Sequence, residues 1–448
     1  MLESKKESIC VKDLLPTPIP DARNVAAAPI FKEIFTLQHN ARLYKVVEPW
    51  KTNSQIGRKE NESFLHFRAR LIFPSFTSDD ASATTLILHS LEPLAPLLTE
   101  VCEALARPEV VWPLKYSNFY YTPLPQLGGV HRLAYLLHAR ALAEMATGSP
   151  AWGFGDIRTM LSLAKISKEP HFLICELLEI SILNLASGVI NQGLDHQVWN
   201  DAQLAMLSRE LAQPRLLHQF AQALRLERAG TFELNLSDPE IWPMPIPMCI
   251  NRDEKKMLQA LKVLQSIHRV RPTGWNSEDK SLYALTTQKM IDSLESEGRL
   301  PSPENWDDLQ KNKDNPDWGF FRTPISFLGL SSVAAAIKNI CKGQTLLNSL
   351  STACAVERYR LAHHQLPTSL DELIPSLLPT VPRDPMTGDP LLYKPSPDGS
   401  FVIYGLGWNR KDEGGPKVSS YDKKSGRTEQ LGNRSHGPKV SCLTLLFA

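Results

Sequence analysis

Apolar residues recur three and four positions apart along most of this chain, a spacing that predicts helices. Ala81 to Ala106 places Leu86, Leu88, Leu91, Leu94, Leu97, Leu98, Val101 and Leu105 near that period. Ser78-Asp79-Asp80 supplies candidates for its N-cap. Pro93 and Pro96 should split the run, because proline removes a backbone donor and clashes with the preceding turn. Phe31 to Leu43 predicts an earlier helix. Val130 to Ala146, Asp156 to Ile166, Phe172 to Ile190, Trp199 to Leu211, Leu216 to Ala229, Lys255 to Val270 and Leu282 to Leu294 predict later ones. Phe172 to Ile190 is apolar nearly all round, the mark of a central buried helix.

Two stretches break the period. Pro108 to Gly128 carries Trp112, Tyr116, Phe119, Tyr120 and Tyr121 among prolines, and reads as an extended segment across helices. Those five aromatics are also the candidate protein-interaction residues, since aromatic side chains dominate binding surfaces. Trp242 to Met248 alternates with proline and should form a covering loop. No signature returns at a fixed spacing of about 34 residues, so a regular helical-repeat solenoid is not indicated. The expected fold is mainly α: an irregular helical bundle or αα-hairpin array.

The texture changes again from residue 325. An apolar helix, Ile325 to Ile340, runs into Leu346 to His363. Leu366-Pro367-Thr368 should turn the chain into a short helix over Ser369 to Leu378, with Glu372 near capping-box spacing. Pro382 to Pro390 is turn chemistry. Leu391 to Lys394 and Phe401 to Gly405 predict a β-hairpin closed at Pro397-Asp398-Gly399. The expected organisation is an irregular or helical segment 1–77, an α-helical body 78–300, a linker 301–324, a small α+β module 325–422 and a disordered tail 423–448.

Composition adds exclusions. The 448 residues carry 49 basic and 48 acidic side chains, a net charge of +1, which speaks against a basic nucleic-acid face. The seven cysteines form no CxxC pair, so a zinc ribbon is not expected. The longest apolar stretch, Ile325 to Ile337, falls short of the roughly 20 residues of a membrane span. The N-terminus lacks the apolar core of a secretory signal. The chain as written is therefore expected to be cytoplasmic, or envelope-associated if residues precede it. Phosphate-loop, HExxH and GxSxG motifs are absent. A hydrolytic site, if any, would be assembled from scattered residues, with His131, His138, Asp156 and Glu176 the first candidates.

The order of elements in residues 345–422 resembles the globular half of the major pseudopilin of type II secretion. The residues that carry it are Ala355 to Tyr359, Leu366-Pro367-Thr368, Pro382-Arg383-Asp384-Pro385, Gly388, Pro390, Tyr393, Tyr404, Gly405, Gly407 and Asp412 to Gly415. Here the module follows some 320 other residues, so it does not assemble as an ordinary pilin subunit. The resemblance implies a reused fold and a role near a secretion-like assembly. It also raises calcium in the loop after the hairpin, with Asp412, Glu413 and Asp422 as candidate ligands; calcium takes roughly six to eight oxygens, whereas Lys411, Lys417, Lys423 and Lys424 intrude here and the family's closely spaced acids are not reproduced. The expected reading is a solvated loop closed by glycines, and no cofactor is expected. Trp112-Pro113-Leu114 and Leu124-Pro125 ahead of a Leu/Ala-rich helix are similar to a group of large bacterial proteins without an assigned activity. The function expected from all of this is a non-enzymatic scaffold that binds an unspecified protein partner, with a hydrolase as the alternative.

Overall fold

Caps and prolines decide where these helices begin, and burial of their apolar stripes decides how they pack. The computed structural model describes residues 10–36, 67, 69, 79–116, 119, 122–233, 273–295, 324–412, 414, 419–422, 427–430 and 440–442. Its helices are α1 (Val11–Leu14), α2 (Pro29–Thr36), α3 (Asp80–Leu91), α4 (Ala95–Leu105), α5 (Pro125–Ala146), α6 (Pro150–Ser167), α7 (Leu173–Asp195), α8 (Asp201–Leu211), α9 (Leu216–Glu233), α10 (Thr273–Glu295) and α11 (Pro324–His363). The protein is mainly helical, as the apolar spacing predicts.

The expected run 81–106 is two helices, α3 and α4, separated by a 3-10 turn at Glu92–Leu94. Asp79 caps the first by accepting a hydrogen bond from Ser82 N at 2.9 Å. Antiparallel neighbours follow: α5 packs on α6, and α6 on α7. Gly148 makes the tight α5–α6 turn at φ +78°, with Ser149 N bonded to Glu144 O at 2.9 Å. Between α7 and α8, Trp199 lies flat over Gly193 and donates from Nε1 to Ile190 O at 3.2 Å. Asn200 then caps α8, in reciprocal hydrogen bonds with Gln203.

The helices expected at 325–340 and 346–363 are one continuous helix of 40 residues, α11. No proline interrupts it, and Gly343 lies where Ile180 and Leu216 press close. Asp279 on α10 caps it, accepting from Ile325 N and Ser326 N at 2.9 Å each. Ser208 on α8 and Ser351 on α11 donate to one another's carbonyls, which only small side chains at close approach permit. Arg358, seven residues later on α11, pairs at 2.7 Å with Asp201, seven residues earlier on α8, so α8 and α11 run antiparallel.

Beyond α11 a 3-10 turn at Leu370–Leu373 replaces the longer helix expected over 369–378. Pro375 follows directly, and it stops helix growth. Strands β1 (Leu392–Pro395) and β2 (Phe401–Tyr404) form the expected antiparallel hairpin. Gly399 takes φ +79° at its turn, and Asp398 accepts from Ser400 N at 3.0 Å. Strands β3 (Ser419–Asp422) and β4 (Arg427–Gln430) pair antiparallel, and β5 (Val440–Cys442) runs parallel to β2. The last two lie in the tail expected to be disordered. The linker 301–324 falls outside the described residues except at Pro324. A single apolar cluster extends from Val25 through α3 to α11 and on to Phe401 and Ile403 of the hairpin.

Helix α7, rather than the stretch Ile325 to Ile337, is long and apolar enough by length and composition to cross a membrane. In the structure 56% of its most apolar window is buried, and it packs on α5, α6, α9 and α11. That is the central position expected of it.

Candidate functional site

The sequence-predicted site residues distribute over three places. On α5, His131 Nε2 stands 3.1 Å from Ser181 Oγ of α7 and edge-on to Tyr135. His138, two turns on, lies against Gly188, where a Cβ would sit 3.6 Å from its Nε2. The matched spacing shows that α5 and α7 run parallel. Burial lowers the His131 pKa, which favours the neutral ring. Asp156 is elsewhere, on α6. Its carboxylate takes both Arg140 Nε, at 2.8 Å, and Arg140 Nη2. Burial raises the pKa of Asp156, and Arg140 pulls it back in part. Glu144 shares the same Arg140 at 3.6 Å, and burial with the negative Asp156 pushes it up to about 7. The structure therefore does not bring His131, His138, Asp156 and Glu176 together.

Glu176 belongs to a second buried group at the turn from α6 into α7. His171 Nδ1 lies 2.7 Å from Glu176 Oε1, and His171 Nε2 lies 3.5 Å from Glu169. Burial opposes the charged imidazole, and the two carboxylates outweigh it, so the His171 pKa is raised. Glu179, one helical turn along, faces Glu176 with its charged form disfavoured by burial and by its neighbour. Oriented by its partners, Gln219 on α9 donates to Glu179 Oε2 at 3.0 Å and accepts from Lys168 Nζ at 3.0 Å. Glu227, also on α9, accepts from Leu173 N at 3.3 Å, and burial pushes it up to about 7. Sequence reasoning selected Glu176 but passed over Glu179, His171 and Lys168. The signal was available in the two acids three residues apart on an otherwise apolar helix.

The aromatic candidates sit beside this corner and inside the body. Trp112 is buried against Phe31 and Phe35, and Phe119 is buried with its ring 4.7 Å from Phe172. Tyr116 is half-buried and stacks on Phe172 at 6.4 Å. Tyr120 and Tyr121 lie outside the described residues. Trp112 and Phe119 thus spend their surface on core packing.

The third place is at the C-terminal end of α11 and the segment that follows it. Tyr359 donates to Glu372 at 2.6 Å, and Glu372 also accepts from Thr368 N at 2.9 Å. Hydrogen bonds from Thr368 and Tyr359 hold Glu372 down at about 2. Tyr393 donates to Pro367 O at 3.0 Å and locks the loop over β1. Between them opens a cleft of about 520 Å³, with Leu370, Ile374, Val381 and Leu391 among its apolar lining and Thr380 and Arg383 among its polar lining. Asp384 of the Pro-Arg-Asp-Pro turn is buried behind it.

Of the calcium candidates, Asp412 accepts from Gly414 N at 2.8 Å and Tyr404 at 2.9 Å, and stands 3.6 Å from Lys394. Glu413 and the side chain of Asp422 lie outside the described residues. Among the described residues, no group of three or more His, Cys, Asp or Glu is placed to hold a metal ion. Comparison with family models, curated proteins and solved structures finds nothing that matches the chain.

Proposed function

We propose that this chain is a non-enzymatic interaction protein whose helical body carries a C-terminal module, and that the module's cleft receives a segment of a protein partner. The observation behind the reading is the cleft, an opening lined by apolar side chains with hydrogen-bonding groups beside them. The first hydrolytic candidates, by contrast, stand in separate helix contacts. The pseudopilin-like order of residues 345–422 supports a partner in an envelope or secretion-like assembly, by analogy of fold.

The test is recovery of the tagged full chain from gently cross-linked native cells, with soluble and envelope fractions analysed separately by mass spectrometry. Val381→Glu, which places a charge in the cleft, runs in parallel and is checked for unchanged helicity. A partner recovered with the wild type and lost with V381E supports the reading. Equal recovery by both removes the cleft from it, and no reproducible partner from either overturns it.

One observation favours a second reading, a hydrolase. The Glu176–His171 pair is a buried carboxylate against an imidazole, the pairing used in general acid–base catalysis. Absence of ester, phosphoester and glycoside turnover by the wild type would end that reading, and turnover that survives in Glu176→Gln would remove this pair from it.

A further inference from the structure

The turn between α6 and α7 buries more carboxylate than it can neutralise with the donors around it. Glu176 is fully buried, and its Oε1 takes His171 Nδ1. Its other oxygen, Oε2, is buried without a hydrogen-bond donor. Glu179, three residues on and so on the same face of α7, is buried as well. Glu179 Oε2 is occupied by Gln219, whose own carbonyl is held by Lys168. The charged groups facing the pair from the turn are Lys168, Glu169 and His171, and Glu227 of α9 and the Cys175 thiol lie at the same corner.

Two adjacent carboxylates in a dry site do not both ionise, since repulsion adds to the cost of removing each from water. A proton on Glu179 resolves every open valence here. It lets Glu179 donate to the orphaned Glu176 Oε2. A continuous chain then runs from Lys168 through Gln219, Glu179, Glu176 and His171 to Glu169. Within this chain, Lys168 and His171 offset Glu176 and Glu169.

We propose that Glu176 and Glu179 share one proton and form a proton-binding site that holds the α6–α7 corner closed, and that loss of this proton at alkaline pH loosens the corner. The solvent route is through the turn, where the side chains of His171 and Glu169 remain 29% and 24% exposed. Phe172 lies on the same turn and stacks on Tyr116 and Phe119, so those rings move with it.

The full chain is examined by infrared spectroscopy and hydrogen–deuterium exchange against pH, with Glu179→Gln as the variant and Glu227→Gln as the control. Glutamine keeps the donor to Glu176 and cannot ionise. A protonated-carboxyl C=O band at neutral pH that is missing in E179Q and retained in E227Q supports the site. Exchange at residues 168–179 should accelerate, relative to α8 in the same sample, as that band is lost, and should not do so in E179Q. A wild-type spectrum indistinguishable from E179Q at neutral pH overturns the proposal. So does a wild-type exchange ratio that stays constant between about pH 6 and about pH 9, a result that does not depend on how well the variant folds.

Discussion

Asp384 accepts a hydrogen bond from Leu406 N at 2.7 Å and another from Met386 N at 2.9 Å. One buried carboxylate thereby joins the Pro-Arg-Asp-Pro turn to the end of β2. A Cβ on Gly405 would lie 2.8 Å from the Asp384 carboxyl, so the approach exists because residue 405 has no side chain. Asp384→Ala leaves backbone donors unsatisfied and should cost about 2–3 kcal/mol. Gly405→Ala should also destabilise, but less so when Asp384 is already alanine. Urea unfolding of the two single variants and the double variant measures this coupling, and strict additivity would refute the link.

Arg140 is the cation between Asp156 and Glu144. Arg140→Met removes it and leaves Asp156 buried without its partner, an expected loss of about 3 kcal/mol or more. Adding Asp156→Asn should restore a large part of that loss. Chemical denaturation of both variants checks the order.

Glu372 titrates at about 2 in the folded chain, against 4.5 for an ordinary glutamate. A depressed carboxylate stabilises the fold above its ordinary range, and that contribution is lost as pH falls toward the folded value. Acid unfolding of the wild type should therefore steepen between about pH 4 and about pH 2, and Glu372→Gln should flatten that region. Tyr359→Phe removes one donor and should move the Glu372 titration upward, which carboxyl-resolved NMR reads directly.

Trp199 covers Gly193 so closely that a Cβ there would lie 2.1 Å from the indole. Gly193→Ala should cost roughly 1–3 kcal/mol through overpacking. Trp199→Phe in the same chain should recover part of it. Thermal unfolding of the single and double variants settles whether the indole is what the alanine meets.

Much of the architecture is legible in the sequence because local signals agree with the packing. Asp79, Pro93 and the Pro397-Asp398-Gly399 turn each act on their own neighbours, and each falls where expected. What is not legible depends on distant groups. Glu179 becomes significant through Gln219, forty residues away and on another helix. Asp384 reads as a turn residue because its burial is made by a glycine beyond the hairpin. Trp112 and Phe119 read as surface candidates because aromatic composition does not tell which rings the other helices cover. The length of α11 was hidden by reading two apolar runs where no residue breaks the helix.

That helix has a mechanical consequence. At 1.5 Å per residue its 40 residues make a rod of about 60 Å. Its C-terminal half is held by α8 at Ser351 and Arg358, and the same half meets Gly405 at Thr345 and the 3-10 turn at Tyr359. A pull on the cleft is therefore not absorbed by a joint within this rod. It arrives as shear between helices at the Ser208–Ser351 contact, at Gln344, which accepts from Leu216 N at 2.9 Å, and at the Asp279 cap.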